Sequence, residues 1–228
     1  MRQLPLRLPL DERADFEGFL PGPNAEPLAL LQGFAARADE PFVYLWGPPG
    51  SGKSHLLQAV CHRAHREGAT PSYLPLGEVL ALGPDILEDM DRLDMVCIDD
   101  VERAAGTPEW ERALFRLYNG LRDRGGRLLV SAERAPVALD LTLPDLRSRL
   151  SWGLVLRIAP LDDADKERLL MLSAARRGLD LSPEAARYLV SRNRRDLPAL
   201  LGALDRLDEL SLAARRRLTI PFIRRHVG

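Results

Sequence analysis

The sequence predicts an α/β fold, in which a five-stranded parallel sheet carries helices on both faces and a small all-helical domain follows. Short apolar runs alternate with amphipathic helical patterns as far as residue 160, and beyond it the strand patterns stop. A glycine-rich stretch, Gly47–Ser54, stands where the first strand pattern passes into a helical one. With 46 % hydrophobic residues among 228, the chain can bury a core.

Five strands are predicted from runs that are continuously apolar or rich in β-branched and aromatic residues. They are Phe42–Trp46, Ser72–Leu76, Asp94–Asp100, Arg127–Ser131 and Leu154–Ile158. Strands that alternate with helices form a parallel sheet covered on both faces. Pro75 lacks a backbone N–H group, so the second strand is expected at an edge of the sheet.

Helical patterns separate these strands. One begins at Lys53, and a longer one runs from Pro108 to Arg122 with Thr107 as its N-cap. After Pro160 four more are predicted, over 162–178, from 182 onward, over 196–210 and over 219–227. The expected organisation is an N-terminal peptide over 1–10, a base domain over 11–160 and a helical domain over 161–228.

The first ten residues form a short apolar peptide that is neither a secretory signal nor a membrane anchor. Pro5, Arg7 and Pro9 interrupt its apolar run. A membrane span needs about 20 apolar residues, and the sequence contains no such run. We therefore expect a cytoplasmic protein with reduced cysteines.

Cys61, His62 and His65 lie close together on a predicted helix and resemble a set of metal ligands. The sequence offers no second ligand cluster to complete such a site. The favoured interpretation puts Cys61 on the buried face of the helix and both histidines on the solvated face.

The stretch Gly47–Ser54 matches the phosphate-binding motif G-x-x-x-x-G-K-[ST] between a strand and a helix. Glycines let backbone N–H groups surround phosphate oxygens at a helix N-terminus. We expect Lys53 to contact the β- and γ-phosphates as a catalytic residue and Ser54 to bind Mg²⁺. The expected nucleotide-binding residues within and beside the loop are Gly47, Pro48, Pro49, Gly50, Ser51, Gly52, Lys53, Ser54 and His55.

An apolar strand that ends in acidic residues is the usual partner of such a loop. Here that strand ends in Asp99 and Asp100. Asp99 is expected to hold Mg²⁺ and Asp100 to polarise the attacking water as a catalytic residue.

These motifs, with "FEGFLPGPN" at Phe16–Asn24 and "SRLSWGL" at Ser148–Leu154, resemble AAA+ ATPases of the DnaA-related group. The first of these stretches, which we call the aromatic segment, resembles the family's F-x-x-F-x-x-G-x-N pattern, which packs beside adenine. In the second, Arg149 matches the arginine finger, which reaches the γ-phosphate of a neighbouring subunit. From spacing alone, Arg149 is equally well a surface arginine paired with Asp145.

Two sensor regions of the family have counterparts here. "SAERAP" resembles the sensor 1 region, with Ser131 or Glu133 as the sensing group, although an ordinary strand-to-loop exit explains it equally well. "RNRRDLPALLGAL" resembles the sensor 2 helix, which puts its nucleotide-contacting arginine at Arg195 in preference to Arg194. The alternative for this stretch is a solvated basic face.

Within the group, the chain is similar to Hda-type regulators, which resemble it in length and in lacking a DNA-binding domain after the helical lid. Their N-terminal Q-L-x-L-x-L peptide, which binds the sliding clamp of DNA polymerase, corresponds to Gln3, Leu4, Leu6 and Leu8. Residues 77–94 carry six acids and one base, Arg92, which makes them a poor track for DNA. No sequence-specific DNA binding is therefore expected.

The resemblance implies a negative regulator of replication initiation that binds the clamp and promotes hydrolysis of DnaA-bound ATP. It implies ATP or ADP with Mg²⁺ as ligands, and DnaA and the clamp as partners. The sequence leaves open whether the chain forms a homo-oligomer. The sequence leaves open whether the chain hydrolyses ATP itself. Two other interpretations remain: an AAA+ adaptor that loads a helicase or serves a transposase, and a stand-alone ATPase.

Overall fold

The computed structural model describes residues 10–36, 40–192, 197–214, 218 and 220–227. The chain divides into two compact units, of which the first ends at Ala159 and the second begins at Pro160. Each unit has its own hydrophobic core.

A parallel sheet of five strands forms the first unit, as the sequence predicts. The strands are β1 (Phe42–Trp46), β2 (Pro71–Pro75), β3 (Met95–Asp99), β4 (Arg127–Ala132) and β5 (Leu154–Arg157). Their order is β2-β3-β4-β1-β5, and every neighbouring pair is parallel. The edge position predicted for β2 is confirmed.

The structure moves the bounds of β2, β3, β4 and β5 by one residue at one or both ends, and it corrects one helix cap. The second strand was predicted to include Leu76, but Leu76 instead begins a short helix and is fully buried. Thr107 occupies the expected N-cap position, yet its side chain makes no capping hydrogen bond. The helix predicted from Pro108 to Arg122 continues to Arg124 and is followed by Gly125, whose φ is 71°.

Helices and short 3₁₀ turns fill the connections of the first unit. The helices are α1 (Ala25–Ala35), α2 (Lys53–Arg66), α3 (Leu76–Val79), α4 (Pro108–Arg124) and α5 (Pro144–Leu150). The 3₁₀ turns are Phe16–Gly18, Gly22–Asn24, Leu80–Leu82, Pro84–Leu87, Met90–Arg92, Val101–Ala104 and Pro136–Ala138.

Side chains alternate between the two faces along each strand, and the three central strands, β1, β3 and β4, are buried on both faces. In β3, Met95 and Cys97 join the core that α1 and α2 cover. Val96 and Ile98 join the opposite core, to which α4 and α5 contribute. Burial on both faces explains why these strands are continuously apolar in sequence.

The second unit is helical, with α6 (Asp163–Arg176), α7 (Pro183–Arg192), α8 (Leu197–Ala214) and α9 (Ile220–Val227). Asp162 caps α6 by accepting a 2.8 Å hydrogen bond from the N–H of Asp165. Apolar side chains from all four helices form the core, among them Leu170, Leu189, Leu204 and Ile223. In the parts of the chain that the structure describes, no helix has the length and apolarity to cross a membrane.

A buried asparagine ties the aromatic segment to the end of the sheet. Asn24 is 1 % exposed. Its Oδ1 accepts from the N–H of Ala159 at 2.8 Å, and its Nδ2 donates to the carbonyl of Ala159 at 3.0 Å. The side chain therefore pairs both backbone polar groups of one residue after β5.

Replacing Asn24 with alanine should lower the free energy of unfolding by about 2 to 4 kcal/mol, because two hydrogen bonds are lost and their backbone partners stay unpaired. Urea unfolding measures this change. Gln32→Ala, an exposed amide on α1, is the matched control and should leave stability unchanged. Equal unfolding curves for the two variants would contradict the role given to Asn24.

Candidate nucleotide-binding site

The glycine-rich loop joins the carboxyl end of β1 to the N-terminus of α2. Its first residue, Gly47, donates its N–H to the carbonyl of Ala132 at the end of β4 (3.2 Å). A Cβ atom on Gly47 would lie 2.2 Å from the carbonyl oxygen of Ile158, so only glycine fits there. Gly50 and Gly52 adopt positive φ values of 74° and 95°, which L-residues with side chains rarely adopt.

Several polar groups of this loop are buried, as is typical of a site that binds an anion. The Lys53 side chain is buried, and its Nζ donates to the carbonyls of Gly47 (2.9 Å) and Pro48 (3.4 Å). The Oγ of Ser51 is buried and has no hydrogen-bond partner within the described ranges. Ser54 is exposed on the first turn of α2, whose dipole favours an anion. A buried cation, an orphan hydroxyl and a helix N-terminus together fit a nucleotide phosphate chain.

The acidic residue that ends β3 is held by hydroxyl groups from both neighbouring strands. Asp99 is 3 % exposed. Ser131 on β4 donates its Oγ–H to Oδ1 of Asp99, and Tyr73 on β2 donates its Oη–H to Oδ2 at 2.8 Å. The two hydroxyl groups therefore orient the carboxylate from both sides, as hydrogen-bond partners commonly orient a metal ligand.

Asp100 differs from Asp99 in backbone and environment. Its φ of 57° is in the left-handed region, and its N–H donates to Ser131 Oγ at 3.1 Å. Burial and the adjacent Asp99 carboxylate raise the pKa of Asp100, although Lys53 and Arg103 oppose the shift. A carboxylate with a raised pKa is a stronger proton acceptor, as a water-polarising group requires.

The two sensor 1 candidates occupy different surroundings. Ser131 is fully buried and bridges Asp99 to the N–H of Asp100. The side chain of Glu133 is exposed, and its N–H donates to Oε1 of Glu102 at 3.2 Å. The structure thus brings Ser131, but not the Glu133 carboxylate, into hydrogen-bond contact with the acidic pair.

The aromatic segment packs beside the loop. Phe16 is buried in the core beneath α2. Phe19 lies 5.9 Å from the His55 ring, between centroids, and a Cβ on Gly52 would meet its Cε2 at 2.8 Å. His55 Nε2 lies 2.7 Å from the carbonyl oxygen of Asp15. This segment therefore packs against Gly52 and His55, and its position beside an adenine stays a prediction.

Cys61, His62 and His65 do not converge on a common point. Cys61 is buried, His65 is exposed, and His62 Nε2 lies 3.0 Å from the carbonyl oxygen of Asp11. Among the described residues, no group of three or more His, Cys, Asp or Glu side chains could hold a metal ion.

Arg149 lies far from the loop, at the amino ends of the strands. Its guanidinium stacks over the rings of Tyr118 (5.8 Å) and Trp152 (5.6 Å). Tyr118 in turn stacks on Phe42, the first residue of β1, with ring centroids 4.2 Å apart. Among the ion pairs of the described ranges none contains Arg149, so the alternative pairing with Asp145 is absent there.

Several expected site residues lie outside the described residues. These are Arg194 and Arg195 of the sensor 2 stretch, and Gln3, Leu4, Leu6 and Leu8 of the N-terminal peptide. Their roles stay predictions.

The sequence interpretation missed two polar residues, Tyr73 and Glu111, that fix parts of the structure around these candidate residues. Tyr73 orients Asp99, and no local pattern signals a contact between neighbouring strands. Glu111 is fully buried on α4. Burial acts to raise the pKa of Glu111, but hydrogen bonds from Thr142, Leu143 and Gly106 outweigh it and hold the pKa below its usual value. The sequence did offer one signal of this role, because Glu111 is an acidic residue among the apolar positions of the buried face of α4.

Comparison with known proteins relates both units to replication proteins. Residues 84–157 match the family model of the bacterial DnaA ATPase domain, and residues 163–227 match that of the Hda lid domain.

Solved structures share the fold. Domain III of the Thermotoga maritima replication initiation protein DnaA is 22 % identical, with a TM-score of 0.82 over 95 % of this chain and 96 % of that one. AMPPCP-bound DnaA from Aquifex aeolicus is 22 % identical, with a TM-score of 0.73 over 89 % and 67 %. The Thermotoga maritima RuvB branch migration motor is 19 % identical, with a TM-score of 0.62 over 88 % and 66 %.

Gly47→Ala should distort the loop, because its Cβ would overlap the Ile158 carbonyl. We expect the free energy of unfolding to fall by about 2 kcal/mol and nucleotide affinity to fall about ten-fold or more. Thermal unfolding and fluorescent-nucleotide titration measure both. Gly202→Ala is the control: its Cβ would meet no atom within 4 Å on α8, so stability should hold or rise. Wild-type nucleotide affinity in Gly47→Ala would refute the assignment of the loop.

Proposed function

Because this chain is a DnaA-related AAA+ protein of the Hda type, we propose that it regulates replication initiation by docking on ATP-bound DnaA and promoting hydrolysis of that ATP. In this proposal the N-terminal peptide binds the sliding clamp, which recruits the protein to replicated DNA. DnaA is left with ADP, and re-initiation is blocked.

The observation that carries the proposal is the separation of Arg149 from the chain's own loop. Arg149 packs at Phe42, where β1 begins, whereas the loop follows Trp46, where β1 ends. Four steps along a strand span about 13 Å, which is longer than an arginine side chain. Arg149 therefore cannot reach a nucleotide on its own loop, and in our proposal it acts on one held by DnaA.

The surroundings of Arg149 suit such a role. Two aromatic faces hold the guanidinium, and no hydrogen bond to another described residue occupies its five N–H donors, which can then bind phosphate oxygens. Delivered to the γ-phosphate of DnaA-bound ATP, the fixed positive charge stabilises the charge that develops as water attacks and the β–γ bridging bond breaks.

Trp152 provides the docking surface beside this arginine. Its side chain is 60 % exposed, although it is a large aromatic residue. Exposed tryptophan next to arginine is typical of the residues that dominate binding energy at protein interfaces.

The chain's own loop supports nucleotide binding as a condition for docking. Gly47–Ser54 would hold the phosphate chain of ATP or ADP, with Lys53 as its cation. Ser54 and Asp99 would hold Mg²⁺, which neutralises phosphate charge, and Asp100 would orient water if the chain hydrolyses its own ATP. That the similar Aquifex DnaA is AMPPCP-bound supports this reading.

Arg149→Ala should abolish stimulation while leaving the fold intact. We expect hydrolysis of ATP preloaded on DnaA, in the presence of clamp-loaded DNA, to fall on the order of 10³-fold from the stimulated rate or to the rate of DnaA alone. Labelled phosphate release measures it.

Arg116→Ala, an exposed arginine on α4, is the control and should stimulate normally. Full stimulation by Arg149→Ala would refute the proposal. Steady ATP turnover by the chain that ignores DnaA and clamp would favour the stand-alone ATPase instead.

Gln3→Ala/Leu4→Ala should reduce capture by immobilised clamp about ten-fold or more, because the glutamine and leucine are the expected anchors of an extended peptide. Arg7→Ala, at a variable position of the pattern, should bind like the native chain. Undiminished binding by the double variant would remove the clamp from the proposal and favour the adaptor for a helicase or transposase.

A further inference from the structure

Glu111 is a buried carboxylate that joins three segments of the first unit. It lies on the first turns of α4 and is 0 % exposed. Oε1 accepts from the N–H groups of Gly106 (2.8 Å) and Thr142 (3.0 Å). Oε2 accepts from the Oγ1 of Thr142 (2.8 Å) and the N–H of Leu143 (2.7 Å).

These bonds hold the residues that precede α5, a helix whose own N-cap makes no side-chain hydrogen bond. Leu143 stands at the N-cap position of that helix and has no side-chain oxygen to cap it. Pro144 follows and has no N–H group. Glu111 therefore holds the residues through which the chain enters α5.

The helix that Glu111 anchors is the one that carries Arg149. Only seven residues, Pro144–Leu150, form α5, so its direction depends on how its first residues are held. Arg147 strengthens the same corner by donating from Nη2 to the carbonyl of Leu141 at 2.6 Å.

One face of α4 supports α5 at both ends. Glu111 and Tyr118 are seven residues apart, so they project from the same face two turns apart. Glu111 holds the start of α5, while the ring of Tyr118 lies under the Arg149 guanidinium near its end. A shift at either point changes where the guanidinium points.

We propose that Glu111 is a positioning residue for Arg149, and that its four hydrogen bonds set the maximal rate of stimulated hydrolysis rather than the affinity of docking. The inference rests on the proposed function. A buried carboxylate that merely stabilised the fold would change the amount of folded protein and leave the rate per docked molecule unchanged.

The test measures hydrolysis of DnaA-bound ATP against increasing chain concentration, on clamp-loaded DNA, for the full-length protein. Glu111→Gln keeps the size of the side chain but turns an NH₂ donor toward backbone N–H donors. We expect its maximal rate to fall about 10- to 100-fold, with half-saturation within about two-fold of the native value.

Thr142→Val is a second, milder variant, which keeps the proposal testable if Glu111→Gln does not fold. Thr142 is exposed, and the change removes one hydrogen bond of the four. It should give an intermediate loss of maximal rate. Glu109→Gln is the matched control on the same helix, because Glu109 is exposed and pairs with Arg112, and it should behave as wild type.

Arg149→Ala in the same assay separates the two ideas. If Arg149→Ala abolishes stimulation while Glu111→Gln and Thr142→Val keep the native maximal rate, the positioning role is overturned and the proposed function stands. The positioning role is also overturned if both variants keep the native maximal rate and change only the chain concentration at half-saturation. It is likewise overturned if Glu111→Gln fails to fold and Thr142→Val is fully active. If Arg149→Ala stimulates normally, both are overturned.

Discussion

The parallel alignment of β1, β3 and β4 is the constraint on which the candidate chemistry depends. Because all three strands point the same way, their carboxyl ends bring the glycine-rich loop, Asp99 and Ser131 to one side of the sheet. Hydrogen bonds of β4 and β5 with the residues around Gly47 then fix where the loop begins. The backbone of the sheet thus places the glycine-rich loop, the acidic pair and the Ser131 hydroxyl, and a hydrogen bond between the side chains of Ser131 and Asp99 then fixes their orientation.

The same sheet keeps two kinds of chemistry apart. Groups suited to the chain's own nucleotide lie at the carboxyl ends, and Arg149 lies at the amino ends beside Phe42. The length of the strands between them keeps the arginine away from the chain's own loop, as the proposed role on a neighbour's nucleotide requires. Helix α4 carries Tyr118, which stacks on Arg149, and Glu111, which holds the start of α5. The position of the Arg149 guanidinium therefore depends on a helix that contains neither the glycine-rich loop nor the acidic pair.

Patterns local in sequence were predictable: the glycine-rich loop, the five strands and the helical periodicity after Pro160. The edge position of β2 followed from Pro75 alone. Contacts between distant residues were not predictable in this way. Tyr73 meets Asp99 only through strand pairing, and Glu111 meets Thr142 only after 31 residues of chain have folded back. Thr107 shows the limit of local reasoning, because a good capping residue stands at the cap without using its side chain.

The central claim is that Arg149 contacts the reacting phosphate of a nucleotide held by DnaA. Affinity for DnaA carrying ADP and aluminium fluoride, a mimic of phosphoryl transfer, tests it most directly, measured against affinity for DnaA carrying ADP alone. A group that stabilises the transition state binds its mimic more tightly, so the native chain should gain about ten-fold or more and Arg149→Ala should gain nothing. An equal gain in both proteins would contradict the account.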